Sequence, residues 1–282
     1  MWLGAVLAVI GALVYGVSDY YGAVAATRLR LIPATAVGYF VATIVIAVAL
    51  IAVGGTWSWA AVGWSALAAL SAIGGMLAFF AAMVVGPVSL VSPFIAVLES
   101  AVPVVFGVVL GVEFTPLTWL AVAMAIAAGL LMSVKPHPEL GRLGLKVVGL
   151  SFLSGLGLGL AIVFLDRAPA DAGLVPAFID TAGSFVVMLV LALATWREFR
   201  AAVTALRPTW PAVVSGALVA GANALIVLAL QHGDLVVVGV LISLYPLSTL
   251  LLARVLDKER LGILQLLGVC CALIASALFA AG

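Results

Sequence analysis

The sequence predicts an all-α polytopic membrane protein whose ten transmembrane helices form two similar halves. Three observations support this fold class. Of the 282 residues, 66% are hydrophobic and only 8% are charged, a composition that water-soluble domains do not have. Apolar segments of about 18–25 residues, the length at which a helix crosses roughly 30 Å of hydrocarbon, follow one another along the chain. An apolar span that ends in a glutamate occurs twice, 146 residues apart (Glu113 and Glu259).

Glycine and proline residues, which interrupt helices, separate the apolar segments from one another. The longest polar break is 135–146, KPHPELGRLGLK, which falls at the midpoint and divides five segments from five. We therefore expect a first five-helix repeat over 1–138 and a second over 139–282. The predicted spans are 2–24, 33–53, 59–82, 88–111, 117–134, 144–165, 173–195, 210–230, 235–256 and 262–281.

The basic residues predict how the chain is oriented. Eleven of the 12 Lys and Arg residues lie in or beside odd-numbered loops, and Arg167 alone lies in an even-numbered loop. Because basic loops remain in the cytoplasm, this bias places the odd-numbered loops there and both termini outside. We expect a multi-pass protein of the plasma (inner) membrane. The net charge of +1 gives no indication of a nucleic-acid partner.

Several short motifs resemble those of the EamA-type members of the drug/metabolite transporter superfamily. Tyr15-Gly16 stands where the family usually has Trp-Gly, and Leu244-Tyr245-Pro246 resembles its "lePv" motif with Tyr in place of Glu. Gly-Val-Glu113 and Asp-Lys-Glu259-Arg260 resemble its "gErlt" turn. The resemblance covers nearly the whole chain. It implies two inverted five-helix repeats around a central cavity, and secondary transport, often export, of amino acids, metabolites or drugs. The family usually keeps both termini in the cytoplasm, opposite to the charge bias of this chain.

Glu99 is the principal candidate site residue, because it lies close to the middle of the fourth apolar segment. A carboxylate at that depth costs about 2.5–3.5 kcal/mol on insertion scales, so it should face protein or water. Ser92, a further candidate for substrate binding or proton coupling, and Pro103 lie on the same helical face as Glu99. Pro103 cannot donate a backbone hydrogen bond, which leaves a carbonyl near Glu99 without its helical partner. Desolvation favours the protonated carboxyl, as a proton-coupling or cation-binding group requires; the alternative is a structural hydrogen bond to a neighbouring helix.

Four further residues are predicted to bind substrate or to couple protons. Asp19 and Tyr15 share one face of the first helix, and the 146-residue offset places Tyr245 at the position of Glu99. Asn223 lies in the middle of the eighth segment, where joining helices is the favoured interpretation and substrate binding the alternative. Asp180, with Thr181 and Ser184, is a weaker candidate.

The predicted function is alternating-access transport of a small organic solute, with proton coupling through Glu99 as a further hypothesis. A lipid or lipid-linked-sugar flippase and a channel are the alternatives. An enzyme is not expected, because no nucleophile motif or metal-spaced histidine cluster is present. No cofactor, metal or catalytic residue is predicted. The expected partners are the solute, protons and the lipid bilayer; the sequence leaves the oligomeric state open, and a monomer is compatible with it.

Overall fold

A computed structural model describes residues 2–85, 88–111, 113–132, 145–196, 200, 209–245, 248, 252 and 262–281. These residues form α-helices joined by short loops, with one 3₁₀ turn at Ala170–Ala172 and no β-strand among them. The helices, named in chain order, are α1 (Trp2–Leu29), α2 (Leu31–Val53), α3 (Trp59–Val85), α4 (Val88–Val109), α5 (Pro116–Met132), α6 (Leu145–Asp166), α7 (Val175–Ala194), α8 (Trp210–His232), α9 (Leu235–Ile242) and α10 (Ile263–Ala281).

Six of these helices are long and apolar enough to cross a membrane: α1, α2, most of α3, α6, α7 and α8. Val97–Val109 in α4 and Pro116–Ala128 in α5 are shorter apolar helices, and the search covered only the described residues. The large hydrophobic side chains point outward, with Trp59, Leu145 and Ile51 among the most exposed. Alanine dominates the interior instead. Small residues inside and large apolar residues outside are the arrangement expected of a helix bundle surrounded by lipid.

Many pairs of packed helices have a corresponding pair in which each helix is replaced by its counterpart from the other half. The main pairs are α1 with α8, and α3 with α6; adding or subtracting five from each number converts one pair into the other. The same operation relates α2–α8 to α7–α3, and α4–α6 to α9–α1. The pairs α2–α7, α4–α9 and α5–α10 are converted into themselves. Most of the main helix pairs therefore have a counterpart in the other half, whereas α1–α2 and α4–α5 have no counterpart of similar extent among the described residues.

Glycine residues determine the closest helix contacts. A Cβ atom added to Gly155 would lie 2.4 Å from Leu98 Cβ, and one added to Gly157 would lie 2.8 Å from Gly75 Cα. α6 therefore presents glycine to α4 and to α3 within one helical turn. The glycine residues of the run Gly155-Leu156-Gly157-Leu158-Gly159 thus serve helix packing.

The ninth predicted span differs from the structure. The sequence predicts one helix over 235–256, whereas α9 ends at Ile242 and Ser243–Tyr245 form a turn. Apart from 248 and 252, the rest of this predicted span lies outside the described residues. The Leu244 and Tyr245 N–H groups donate to carbonyls three residues earlier rather than four. Pro246 in the sequence supplies the reason, because proline disfavours the helical conformation of the residue before it and has no N–H of its own. The turn places Tyr245 at the end of α9.

Candidate functional site

Glu99 is buried between α4 and α6, with 6% of its surface exposed. Pro103, four residues later, has no N–H to donate to the Glu99 carbonyl oxygen. Gly159 of α6 lies against that oxygen, where an added Cβ would be 2.8 Å away. The side-chain Oε2 atom is buried and has no hydrogen-bond partner within the described part of the chain. A buried carboxyl oxygen of this kind is available to a proton or to a ligand that donates a hydrogen bond.

Four of the predicted site residues come together from both halves of the chain. Asp19 lies within electrostatic range of the Glu99 carboxyl group. Tyr245 lies within range of both acids. The ring centroids of Tyr15 and Tyr245 are 6.0 Å apart, with their planes inclined at 58°. α1, α4 and the end of α9 thus combine two acids and two aromatic rings, and we call these four residues the Glu99 cluster.

A second acidic group is centred on Asp180 of α7, which is 7% exposed. The Asn223 amide of α8 donates to Asp180 Oδ2 at 3.3 Å and to the Thr181 hydroxyl oxygen at 3.2 Å. Thr181 donates its own proton to the Ala177 carbonyl oxygen at 2.7 Å. Asp180 Oδ1 is buried and has no hydrogen-bond partner among the described residues. Asn223 therefore joins α8 to α7 and leaves one oxygen of Asp180 open.

Tyr15 lies within electrostatic range of members of both acidic groups, Glu99, Asp19 and Asp180. Tyr39 of α2 lies within range of Asp180 and Asp19, and its hydroxyl group hydrogen-bonds to that of Ser184. No basic group in the described part of the chain lies within electrostatic range of Glu99 or Asp180. The described basic side chains lie at or beyond helix ends: Arg28, Arg30, Lys146, Arg167 and Arg200. The interior between these helices therefore carries acids and tyrosines without neighbouring cations.

The six predicted site residues separate into three groups. Tyr15, Asp19, Glu99 and Tyr245 lie together, whereas Asn223 contacts Asp180 instead. Ser92 belongs to α4, and its side chain lies outside the described residues. Sequence reasoning omitted Tyr39 from the site. Its only signal is a tyrosine in the middle of an otherwise apolar helix, and nothing in that pattern identifies α7 as the partner of α2.

Comparison with protein families finds a match for the second half of the chain. Residues 145–281 match the model of the EamA-like transporter family. The second half of the chain is therefore similar to the EamA-like transporter family. This family is part of the drug/metabolite transporter superfamily, so the resemblance seen in the short motifs is confirmed for this half. No curated protein matches the chain.

Among solved structures, 28 chains match this chain. One of them, a crystal structure titled only as that of a protein, covers 97% of this chain and 95% of its own chain. Its sequence identity is 16% and its TM-score is 0.71, so the likeness concerns the fold alone. The apolar helices and the family match make this chain a multi-pass membrane protein of the transporter type. Asp180, Asn223 and Tyr245 lie inside the matched residues, and Glu99 lies outside them.

Proposed function

We propose that this protein is a secondary active transporter that moves a small organic solute by alternating access. Two inverted five-helix repeats, 1–138 and 139–282, would supply ten spans and two related conformations, one open to each side of the membrane. The exchange of helix pairs between the halves supports a duplicated architecture, because most of the main contacts have a counterpart five helices along the chain.

The observation that carries the proposal is the Glu99 cluster itself. Asp19 and Tyr15 come from α1, Glu99 from α4, and Tyr245 follows α9, so both halves contribute to one group of polar side chains. A binding site at the boundary between two repeats changes its access when one repeat moves against the other. Glu99 would be protonated in one conformation and exchange its proton for substrate in the other, which would couple net transport to a proton gradient. We propose export as the direction of transport, as the resemblance of the short motifs implies.

Loops at one end of the bundle connect the two halves. The Thr56 hydroxyl, after α2, donates to the Asp171 carbonyl oxygen at 2.9 Å and to Asp171 Oδ2 at 3.0 Å. The Leu174 N–H group, before α7, lies 3.5 Å from the Gly54 carbonyl oxygen. If one repeat moves against the other, this loop contact must open whenever the site faces that end.

A cross-linking experiment tests alternating access. Thr56→Cys with Asp171→Cys is made in a background without Cys270 and Cys271, and transport is followed in proteoliposomes before and after oxidation. We expect the disulfide to form, net transport to stop, and a reductant to restore it, while either single cysteine variant remains active after oxidation. Full transport by the cross-linked protein would contradict alternating access, and a solute flux that never saturates would indicate a channel.

A further inference from the structure

Two buried carboxyl oxygens without partners occupy separate positions in the interior. Glu99 Oε2 and Asp180 Oδ1 belong to residues that are 6% and 7% exposed, and neither has a hydrogen-bond partner among the described residues. Glu99 is on α4, which packs mainly against α6, α9 and α5. Asp180 is on α7, which packs mainly against α2, α3 and α8. The two open oxygens are therefore held by helices with different neighbours.

Tyr15 is the aromatic residue that is near both acids. It lies within electrostatic range of Glu99 and of Asp180. The Tyr15 ring is tilted against that of Tyr245 at a centroid distance of 6.0 Å. An aromatic ring is therefore available to a ligand that interacts with either acid.

We infer that the site accepts an organic dication, with one ammonium group at Glu99 and Asp19, the other at Asp180, and an apolar linker against Tyr15. Each ammonium group can donate to a carboxyl oxygen that the protein leaves open. Tyrosine rings also attract ammonium groups through their π faces. The inference deepens the proposed function, because it names the chemical class of substrate for the same site.

Charge balance favours a dication over the other solute classes. A monocation can donate to only one of the two open carboxyl oxygens and would leave the other without a hydrogen-bond partner. A zwitterion or a phosphate ester would bring a negative group among three acids. In the described part of the chain, no basic group lies within electrostatic range of Glu99 or Asp180 to receive it.

A binding experiment on the purified full-length protein tests the inference. The probes are straight-chain α,ω-diamines with three to eight carbons, each compared with the primary alkylamine of equal length at constant pH and ionic strength. We expect diamine affinity, measured by calorimetry, to pass through a maximum at one length and to exceed that of the matched monoamine by roughly 10-fold or more. Equal affinity of the two series, or a diamine affinity that rises steadily with length, would overturn the inference.

Two variants and one control separate the ends of the site. Asp180→Asn should reduce the affinity of the optimal diamine to that of the monoamine, and leave monoamine binding within about 2-fold. Glu99→Gln should likewise reduce diamine affinity to that of the monoamine, because it alters the carboxyl group that holds the other ammonium group. Glu113→Gln, the same chemical change at an exposed acid outside the two clusters, should alter neither ligand. If Asp180→Asn weakened both series equally, Asp180 would not hold the second ammonium group, and the inference would be wrong.

Proteoliposome transport distinguishes this inference from the proposed function. Selective diamine binding by a protein that moves no solute would overturn the transport proposal and leave the dication site in place. Transport of a monoamine or neutral solute without any diamine preference would support the transport proposal and overturn the dication site. Wild-type protein suffices for both comparisons, so the test does not depend on the folding of either variant.

Discussion

Tyr15 and Tyr245, one from each half of the chain, bring their ring centroids to 6.0 Å with an interplanar angle of 58°. Tyr245 occupies the position that the 146-residue offset assigns to Glu99, so the two halves contribute different chemistry at related positions. One half supplies a carboxyl group and the other an aromatic ring with a hydroxyl group. Substitutions of Tyr245 therefore test directly whether the aromatic ring binds substrate.

If the ring of Tyr245 contacts a bound cation, Tyr245→Phe should retain most of the ligand affinity and Tyr245→Ala should lose it. A cation–π contact contributes about 0.5–2 kcal/mol, so we expect a loss of roughly 2- to 30-fold for the alanine variant. Calorimetric titration with the best diamine provides the measurement. Equal affinity for the phenylalanine and alanine variants would show that the ring does not touch the ligand.

Gly155 and Gly149 lie on the same helix and offer a matched comparison of packing. A Cβ atom at Gly155 would lie 2.4 Å from Leu98 Cβ and 3.3 Å from the Glu99 backbone nitrogen, whereas nothing lies within 4 Å of one at Gly149. Gly155→Ala should therefore force α6 away from α4 and lower the free energy of unfolding by about 1–3 kcal/mol. Gly149→Ala should leave it unchanged or slightly higher. Thermal unfolding in one detergent measures both, and equal stability of the two variants would contradict the close α4–α6 packing at Glu99.

The Asn223 amide should couple energetically to Asp180. Its two hydrogen bonds, at 3.3 Å and 3.2 Å, join α8 to α7. Side-chain hydrogen bonds between membrane helices contribute about 0.6–2 kcal/mol, and we expect a coupling energy of that size from a double-mutant cycle of Asn223→Ala and Asp180→Ala. Thr181→Val in the same cycle measures the share of the second bond. Additive effects of the two alanine substitutions would show that the contact contributes nothing to stability.

Orientation is a separate prediction and rests on the distribution of basic residues. In a background without Cys270 and Cys271, Pro138→Cys in the basic central loop should resist a membrane-impermeant thiol reagent applied to intact cells. Glu113→Cys, in the loop between α4 and α5, should react. Permeabilised cells provide the control, because both sites should then be labelled. The reverse pattern would place the termini in the cytoplasm, as the family usually does.

Features that depend on one residue and its depth could be predicted from the sequence. Glu99 and Asp19 are candidates because an ionisable side chain inside an apolar span is costly and usually has a functional role. The structure buries Glu99 in the bundle, and Gly155 and Gly159 of α6 allow α4 to approach closely there.

Features that depend on which helices meet could not be predicted. Asn223 was placed on the eighth span, but hydropathy does not indicate that α8 packs against α7 or that Asp180 accepts its hydrogen bond. Tyr39 was missed for the same reason. The turn at Ser243–Tyr245 was missed because the apolar character of the span continues through it, and hydropathy outweighed the single proline signal at Pro246.

The central claim is that Glu99 couples solute movement to protons, and transport by Glu99→Gln tests it most directly. Glutamine retains the size and most of the hydrogen bonding of the side chain but cannot release a proton, so the fold should persist. Thermal unfolding close to that of the wild type would verify this. In proteoliposomes with a pH difference across the membrane, we expect the variant to lose proton-driven net transport, while solute exchange at equal pH continues. Net transport by Glu99→Gln at the wild-type rate and with the wild-type pH profile would contradict the claim and make Glu99 a structural hydrogen-bonding residue.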